Sequence, residues 1–289
     1  MTNNKSDFYL GCAVWSYRDW VGNLYPDRSR PQEFLNLYSR RFTTVEGNTT
    51  FYAIPSSETI AKWVAQTPVG FKFCPKMNRQ VTHQGLLAPR IPEAIAFLTR
   101  MSELEDRLGT TFIQLPPSYS PDSWLDLQAF LIACSQSGFS LALEVRHLDW
   151  FSPQNSDHLN TLLAQLNIAK VLLDTRPIYN CPQDPQINSR NRKPQVPLEP
   201  ILTTQTSFVR FISHPDSEYN QDYLEQWARD VAQWLKGNNT IYFLVHCPEE
   251  IYSPNTAKNF YTLLKRKAPQ ISTLPWDCID PHPTQLNLF

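Results

Sequence analysis

Ionisable and amide side chains in this chain gather at the ends of short apolar runs, and their types point to anion binding and proton transfer. Val45-Glu46-Gly47-Asn48 closes one run, Lys76 another, and Gln114 stands just before Leu115-Pro116-Pro117. Later runs end in Glu144-Val145-Arg146-His147, Asp174, Val209-Arg210 and Val245-His246-Cys247. Side chains alternate along an extended chain, so Glu46 shares a face with Asn48, and Glu144 with Arg146. Lys76, Arg146 and Arg210 are suited to hold a carboxylate or phosphate in a cleft. Glu46 and Glu144 beside those cations would stay ionised and could accept a proton. The candidate catalytic residues are therefore Glu46, Lys76 and Glu144. The candidate substrate-binding residues are Trp15, Tyr17, Asn48, Gln114, Arg146, Asp174 and Arg210.

Other readings compete with this one. Glu144, Arg146 and Arg210 could satisfy one another as a buried polar layer without any ligand. Trp15, Tyr17, Trp20 and Tyr25 could stack on a sugar or a base, or could pack their loop onto the core. His83, His147, His214 and His246 each stand alone, and a lone histidine is more often a hydrogen-bonded structural residue. Glu144, Asp174, His214 and His246 fall on four successive runs and could hold a divalent metal in a phosphoesterase or isomerase. Arg146 and Arg210 would then set positive charge beside that ion. A non-catalytic ligand-binding protein is a third reading. A retaining glycosidase needs two carboxylates about 5 Å apart, and the second and fifth runs, which carry Glu46 and Glu144, lie far apart around a ring.

The elements that position these residues follow from periodicity. Eight strand-like runs occur, at Phe8–Val14, Thr44–Asn48, Phe71–Lys76, Thr111–Leu115, Leu141–Arg146, Ala169–Asp174, Phe208–Ile212 and Ile241–Val245. Helical patterns lie between them, at Pro31–Arg41, Ser57–Gln66 with Ser56 as its cap, Ile91–Leu108, Ser123–Ser135, Asn155–Leu166, Gln221–Lys236 and Pro254–Arg266. Gly70, Gly109, Gly138 and Gly237 sit where left-handed helix ends are expected. Strand–helix alternation of this kind predicts one parallel (β/α)8 TIM barrel over residues 1–289, with its site at the C-terminal strand ends. Two stretches break the rhythm. Trp15–Arg30 is a long aromatic loop, and Arg176–Thr206 is polar and proline-spaced, as expected of a lid over the barrel mouth.

A set of motifs in order adds a resemblance. Trp15-Ser16-Tyr17-x-x-Trp20, Val45-Glu46-x-Asn48-x-Thr50-Phe51-Tyr52, Phe71-x-Phe73-x-x-Lys76 with Thr82-His83, Gln114-Leu115-Pro116-Pro117-Ser118, Glu144-Val145-Arg146-His147-x-x-Trp150-Phe151 and Val209-Arg210-Phe211 resemble the DUF72 (YecE-like) family. The resemblance spans roughly Tyr9 to Trp234. It implies a TIM-barrel fold and no established reaction, the family being loosely described as related to sugar isomerases. Two places depart from the family pattern. His246-Cys247 stands where an Asn-Asn pair is usual, and Asp216-Ser217-Glu218-Tyr219 replaces a Tyr-Gly-x-Tyr segment, so roles on strands seven and eight transfer least.

Composition bounds the function. A net charge of -1 over 289 residues gives no global field toward nucleic acid or an anionic membrane, though a local basic patch stays open. No two of the eight glycines form Gly-x-Gly, which excludes the dinucleotide and P-loop cradles. The six cysteines form no Cys-x-x-Cys pair, so neither structural zinc nor a disulfide framework is expected. Met1–Asp7 does not read as a signal peptide, and the longest apolar runs are strand-sized. The expectation is a cytoplasmic protein with reduced thiols, no cofactor (a divalent metal being the alternative) and a small anionic, phosphorylated or sugar-like substrate. Its oligomeric state is left open.

Overall fold

The computed structural model describes residues 7–181 and 193–278. All eight expected runs form strands: β1 Phe8–Cys12, β2 Thr44–Gly47, β3 Lys72–Pro75, β4 Thr111–Gln114, β5 Leu141–Glu144, β6 Ala169–Asp174, β7 Thr206–Ile212 and β8 Thr240–His246. Every strand pair is parallel. The ladder runs β1-β8-β7-β6-β5-β4 as one six-stranded sheet, with β2 and β3 as a separate pair. The result is an α/β fold with a curled, barrel-like sheet rather than one continuous eight-stranded ladder.

The two seams have identifiable chemistry. Between β1 and β2 the backbones come so close that a Cβ on Gly11 would lie 1.9 Å from the Thr44 carbonyl oxygen, so only glycine fits there. The Tyr38 hydroxyl bridges the gap, accepting from the Cys12 N–H at 2.6 Å and donating to the Thr44 carbonyl at 3.0 Å. The Thr43 N–H adds a bond to the Leu10 carbonyl at 3.1 Å. Between β3 and β4 the contacts are sparse: Gly109 N–H to the Phe73 carbonyl (2.7 Å) and Met77 N–H to the Phe112 carbonyl (3.0 Å).

Both faces of the strands are buried, as parallel strands under helices require. The inward face packs Tyr9, Cys74, Phe112, Ala142, Ala169, Val171, Phe208, Tyr242 and Leu244 into an apolar floor. The outward face packs Val209, Phe211 and Phe243 against the helices. Helix Gln221–Lys236 shows how: Leu224, Trp227, Ala228, Val231 and Leu235 form one buried stripe at helical spacing. Ser56 caps helix Ser57–Gln66, accepting from the Thr59 N–H at 3.2 Å. The helix expected over Ile91–Leu108 ends at Met101. A 3-10 segment, Ser102–Arg107, follows, and inside it Glu105 takes a positive φ that breaks the helix. Gly70 and Gly138 are left-handed as expected, but Gly109 and Gly237 are not. Asn238 holds the left-handed position after the helix that Gly237 was expected to close, and Asn167 does so after helix Pro153–Gln165. Gly109 is required for a different reason: a Cβ there would approach the Phe73 carbonyl to 2.9 Å.

The connection after β6 departs from a simple lid. Its first turn, Arg176–Tyr179, lies at the C-terminal end, where Ile178, Tyr179 and Val196 pack on Leu173 and Ile212. Its return leg then runs down the outside of β6. Glu199 accepts from Ser156 on helix Pro153–Gln165 and from buried Lys170. Thr203 accepts from the Lys170 N–H and donates to the Ile168 carbonyl. From Glu199 to Thr203 the return leg thus forms part of the wall, in the place a crossover helix takes elsewhere, while Val196 still packs at the C-terminal end. Residues 182–192 of the expected lid lie outside the described residues.

Candidate polar site at the C-terminal strand ends

Above the apolar floor, the inward faces of β2, β4, β5, β7 and β8 bring Glu46, Gln114, Glu144, Arg210 and His246 together, with Lys76 just past β3 and Arg146 just past β5. The neighbours of Arg210 across the ladder are Leu173 and Leu244, both apolar. Its guanidinium therefore reaches across the interior. It grips Glu46 with two bonds of 2.8 Å and Glu144 with one of 2.5 Å. Its plane lies over the Phe112 ring, 5.3 Å from the centroid. The two carboxylates expected to be far apart therefore meet on one guanidinium.

A second layer lies nearer the mouth. Arg146 donates from Nε to Glu144 and from Nη2 to the Gln114 side-chain oxygen, both at 2.6 Å. Lys76 donates to that same amide oxygen at 2.8 Å and stands 4.0 Å from the centroid of Phe51. Gln114 is the direct cross-strand partner of Glu144, which is how one amide comes to serve both cations. His83 meets the Phe51 ring edge-on, with centroids 4.9 Å apart, and its Nδ1 pairs with the Thr82 hydroxyl.

The electrostatics separate the roles. Burial would raise the Glu46 carboxyl, but Arg210 and His246 overcome it and hold the group well below the usual carboxylate range. Burial likewise opposes Glu144, and Arg146, Arg210 and Lys76 bring it down to about 2. Both are fixed anions near neutrality. Burial first, and Arg210 second, pull Lys76 down to about 7. Burial outweighs the pull of Glu46 on His246 and pushes it down to about 4. The neutral imidazole therefore donates from Nε2 to Glu46, at 2.7 Å. His83 is also pushed down to about 4, by burial and then by Lys76 and Arg146. Glu250 moves the other way, up to about 7 through burial, with its carboxylate accepting from Ser253 at 2.6 Å.

Arg210 is 3 % exposed and committed to its carboxylates. Among the described residues, the Lys76 ammonium makes a single hydrogen bond and the Nη1 of Arg146 makes none, while Lys193 adds a further cation near Arg210, Glu250 and Glu46. Asn48 sits nearby, its amide nitrogen bonded to the Ala13 carbonyl at 2.9 Å.

Other expected site residues lie elsewhere. Asp174 faces away from the interior, since on β6 the inward set is Ala169, Val171 and Leu173. Its carboxylate is engaged by Arg176 at 2.9 and 2.8 Å and by the Trp227 indole at 2.8 Å. His214 is turned into its own loop, accepting from the Asp216 N–H at 2.9 Å. Glu144, Asp174, His214 and His246 therefore do not converge. Among the described residues, no group of three or more His, Cys, Asp or Glu side chains is placed to hold a metal. Trp20 and Tyr25 are buried packing residues, and Trp15 packs on Trp63 and Phe73. Tyr17, half-buried, leans on Trp20.

Phe51 was not among the candidate site residues, and His246 was considered only as a metal ligand, not as a partner of Glu46. A histidine without a partnered spacing carries no sequence signal. Phe51, however, lies within a motif segment that carries the family resemblance. The departure at His246 falls inside the polar cluster itself, where the imidazole bonds Glu46.

Comparison with known proteins agrees with these motifs. The model of a family described as "Protein of unknown function DUF72" matches residues 9–278. The UPF0759 protein YecE of Escherichia coli K12 is 32% identical over 270 residues, covering 92% of this chain and 96% of that protein. The UPF0759 protein YunF of Bacillus subtilis is 32% identical over 157 residues, about half of each chain. Among solved structures, a DUF72 family protein of Enterococcus faecalis V583 superposes with a TM-score of 0.67 at 18% identity, covering 91% of this chain and 98% of that one. One of Thermotoga maritima MSB8 gives 0.66 at 21% identity, covering 90% and 99%. These two structures support the fold. No helix among the described residues is long and apolar enough to cross a membrane.

Proposed function

The chain belongs to the DUF72 family, and on that premise we propose that it is an enzyme acting on a small anionic, sugar-like metabolite by proton transfer at the mouth of a barrel. The eight strands act in this reading as one closed (β/α)8 scaffold, with the two seams completing the ring through Tyr38, Thr43 and Gly109. The observation that carries the reading is Lys76. It is a buried amine held by an amide oxygen rather than by a carboxylate, beside an arginine whose Nη1 is unbonded among the described residues. Such an amine is partly neutral near pH 7 and can take up a proton.

Roles then follow from the geometry. Arg146 holds the anionic group of the substrate, because its Nη1 makes no hydrogen bond among the described residues while Nε and Nη2 are anchored. Lys76 moves the proton. Glu46 and Glu144, being fixed anions, are positioning residues: they hold Arg210 and Arg146 and compensate their charge. A carboxylate brought down to about 2 is a weak base at neutral pH, so the proton-transfer role moves from the glutamates to the lysine. Retaining glycoside hydrolysis is disfavoured because Arg210 occupies the space between the carboxylates.

A second reading, a binding protein without turnover, draws on the saturation of Glu46 and Glu144. One experiment separates the two. Wild-type protein and Lys76→Met are incubated with a cellular metabolite extract, with and without added divalent metal, and the pool is compared by mass spectrometry. The proposal expects an anionic compound consumed by wild type and spared by the variant. A pool left unchanged by a protein that retains an anionic compound through dialysis would favour binding alone.

A further inference from the structure

We propose that Lys76 is a covalent nucleophile that forms an imine with a small anionic aldehyde or ketone, the anionic group being held by Arg146. This rests on the reading of the mouth as an active site and deepens it by naming the substrate class.

The starting point is a contrast between two buried lysines. Lys170 and Lys76 are 5 % and 8 % exposed. Lys170 has a carboxylate, Glu199, at 2.5 Å, the ordinary way to stabilise a buried ammonium. Lys76 has no carboxylate within ion-pairing distance among the described residues. Its acceptor is the Gln114 amide, and that oxygen is shared with Arg146. The rest of its surroundings is aromatic: the face of Phe51 at 4.0 Å and Phe112 at 6.0 Å. Two guanidinium groups, Arg146 and Arg210, face it, against Glu144 and Glu46, whose charge those same groups already compensate. This environment favours the free amine and leaves its lone pair available, as an activated nucleophilic lysine requires.

A free amine near neutrality serves as a general base, and it equally meets the first requirement of imine formation. The neutral amine attacks the carbonyl carbon. The C–N bond forms as the carbonyl π pair moves to oxygen, which takes a proton. Loss of that oxygen as water gives the imine, protonated to an iminium. The step consumes no oxidant or reductant. The iminium then acidifies the neighbouring C–H bond by drawing its electron pair toward nitrogen, which connects imine formation to the proton transfer proposed above. His83, edge-on to the Phe51 ring, is neutral near pH 7 and can accept a proton during dehydration. The cationic charge that appears on nitrogen is met by the anionic group of the substrate itself, held by Arg146. A carbonyl carbon a few bonds from a carboxylate or phosphate can engage both groups at once.

The test is reductive trapping. Full-length protein is incubated near pH 7 with pyruvate, with glyceraldehyde 3-phosphate, or with the neutral analogues acetone and glyceraldehyde, each with cyanoborohydride, and followed by intact mass and peptide mapping. Reduction of an imine adds the mass of the carbonyl compound less one oxygen. The expected result is one adduct, on Lys76, forming about tenfold faster with an anionic probe than with its neutral counterpart, roughly the value of one charge-assisted hydrogen bond. Pyruvate against glyceraldehyde 3-phosphate distinguishes a carboxylate from a phosphate. Lys76→Arg should lose the adduct, and Arg146→Gln should keep it while losing the preference for anions. The absence of an adduct on Lys76, or labelling spread over surface lysines without anion preference, overturns the proposal. Melting temperature with inorganic phosphate separates the two levels. A phosphate-induced rise that depends on Arg146, without an adduct, would overturn the imine and leave the active-site reading standing. Neither rise nor adduct would remove both.

Discussion

Replacing Arg210 with methionine removes the centre of the polar cluster, and the structure sets the size of the effect. Three hydrogen bonds to two fully buried carboxylates disappear. At about 1.5–3 kcal/mol for each bond to a charged group, the loss would exceed 4 kcal/mol. Protonation limits it. Once Arg210 is gone, a carboxyl can become neutral instead of remaining an uncompensated anion. At pH 7 that costs about 1.4 kcal/mol per unit above a reference value near 4.3, or roughly 4 kcal/mol. The expected deficit is therefore about 4 kcal/mol, within the range for breaking a buried pair. The sign of its pH dependence follows. In the wild type both carboxyls are held below their unfolded values. Their stabilising contribution is complete above the unfolded value and is lost only as pH falls through the folded one, so it is flat between pH 5 and 7. In Arg210→Met a carboxyl is raised instead, and stability recovers as pH falls. The deficit should shrink by about 1.4 kcal/mol per pH unit from pH 7 to 5. Urea unfolding followed by tryptophan fluorescence at the two pH values measures this. A deficit under about 1 kcal/mol at pH 7, or one independent of pH, would refute the account of Arg210 as the organising cation.

Three further outcomes are expected. Lys76→Met should be more stable than wild type by a few kcal/mol at pH 6, because a lysine held near 7 when folded and near 10.4 when unfolded penalises the fold fully below pH 7. That advantage should vanish as pH rises through 10, as read by thermal unfolding across that range. Tyr38→Phe should cost about 1–3 kcal/mol by leaving the Cys12 N–H and Thr44 carbonyl unpaired at the seam, and Gly11→Ala more than that, both checked by urea unfolding. Asp174→Asn should lower stability by about 1–3 kcal/mol through its weakened bond to Arg176, yet leave any phosphate-induced rise in melting temperature unchanged, since Asp174 faces the helices.

Much of the architecture was legible in the residues. Each strand is a short apolar run bounded by polar or proline-rich turns, and helix Gln221–Lys236 was readable to the residue because its apolar stripe begins and ends sharply. The grouping of Glu46, Lys76, Gln114, Glu144, Arg146 and Arg210 followed from strand-end position. Facing was harder. Parallel strands are apolar on both sides, so nothing in Ala169–Asp174 marks Asp174 as outward and Leu173 as inward. The seams were hidden because they depend on a tyrosine hydroxyl from a helix and on one close backbone approach at Gly11. The saturation of Arg210 was hidden for a related reason: three strands distant in sequence must close before Glu46 and Glu144 reach the same guanidinium. The return leg 194–205 escaped because an extended segment covering a sheet has no period of its own. Its anchors, Glu199 to Lys170 and Thr203 to β6, are visible only in space.

The measurement that bears most directly on the central claim is the titration of the Lys76 amine itself. With side-chain carbon and nitrogen resonances assigned by comparison with Lys76→Met, NMR across pH 5 to 11 follows its protonation. The account predicts a midpoint near 7, rising when inorganic phosphate is added because the bound anion favours the ammonium. A midpoint above 10, insensitive to phosphate, would show an ordinary charged lysine and contradict the assignment of Lys76 as the reactive group.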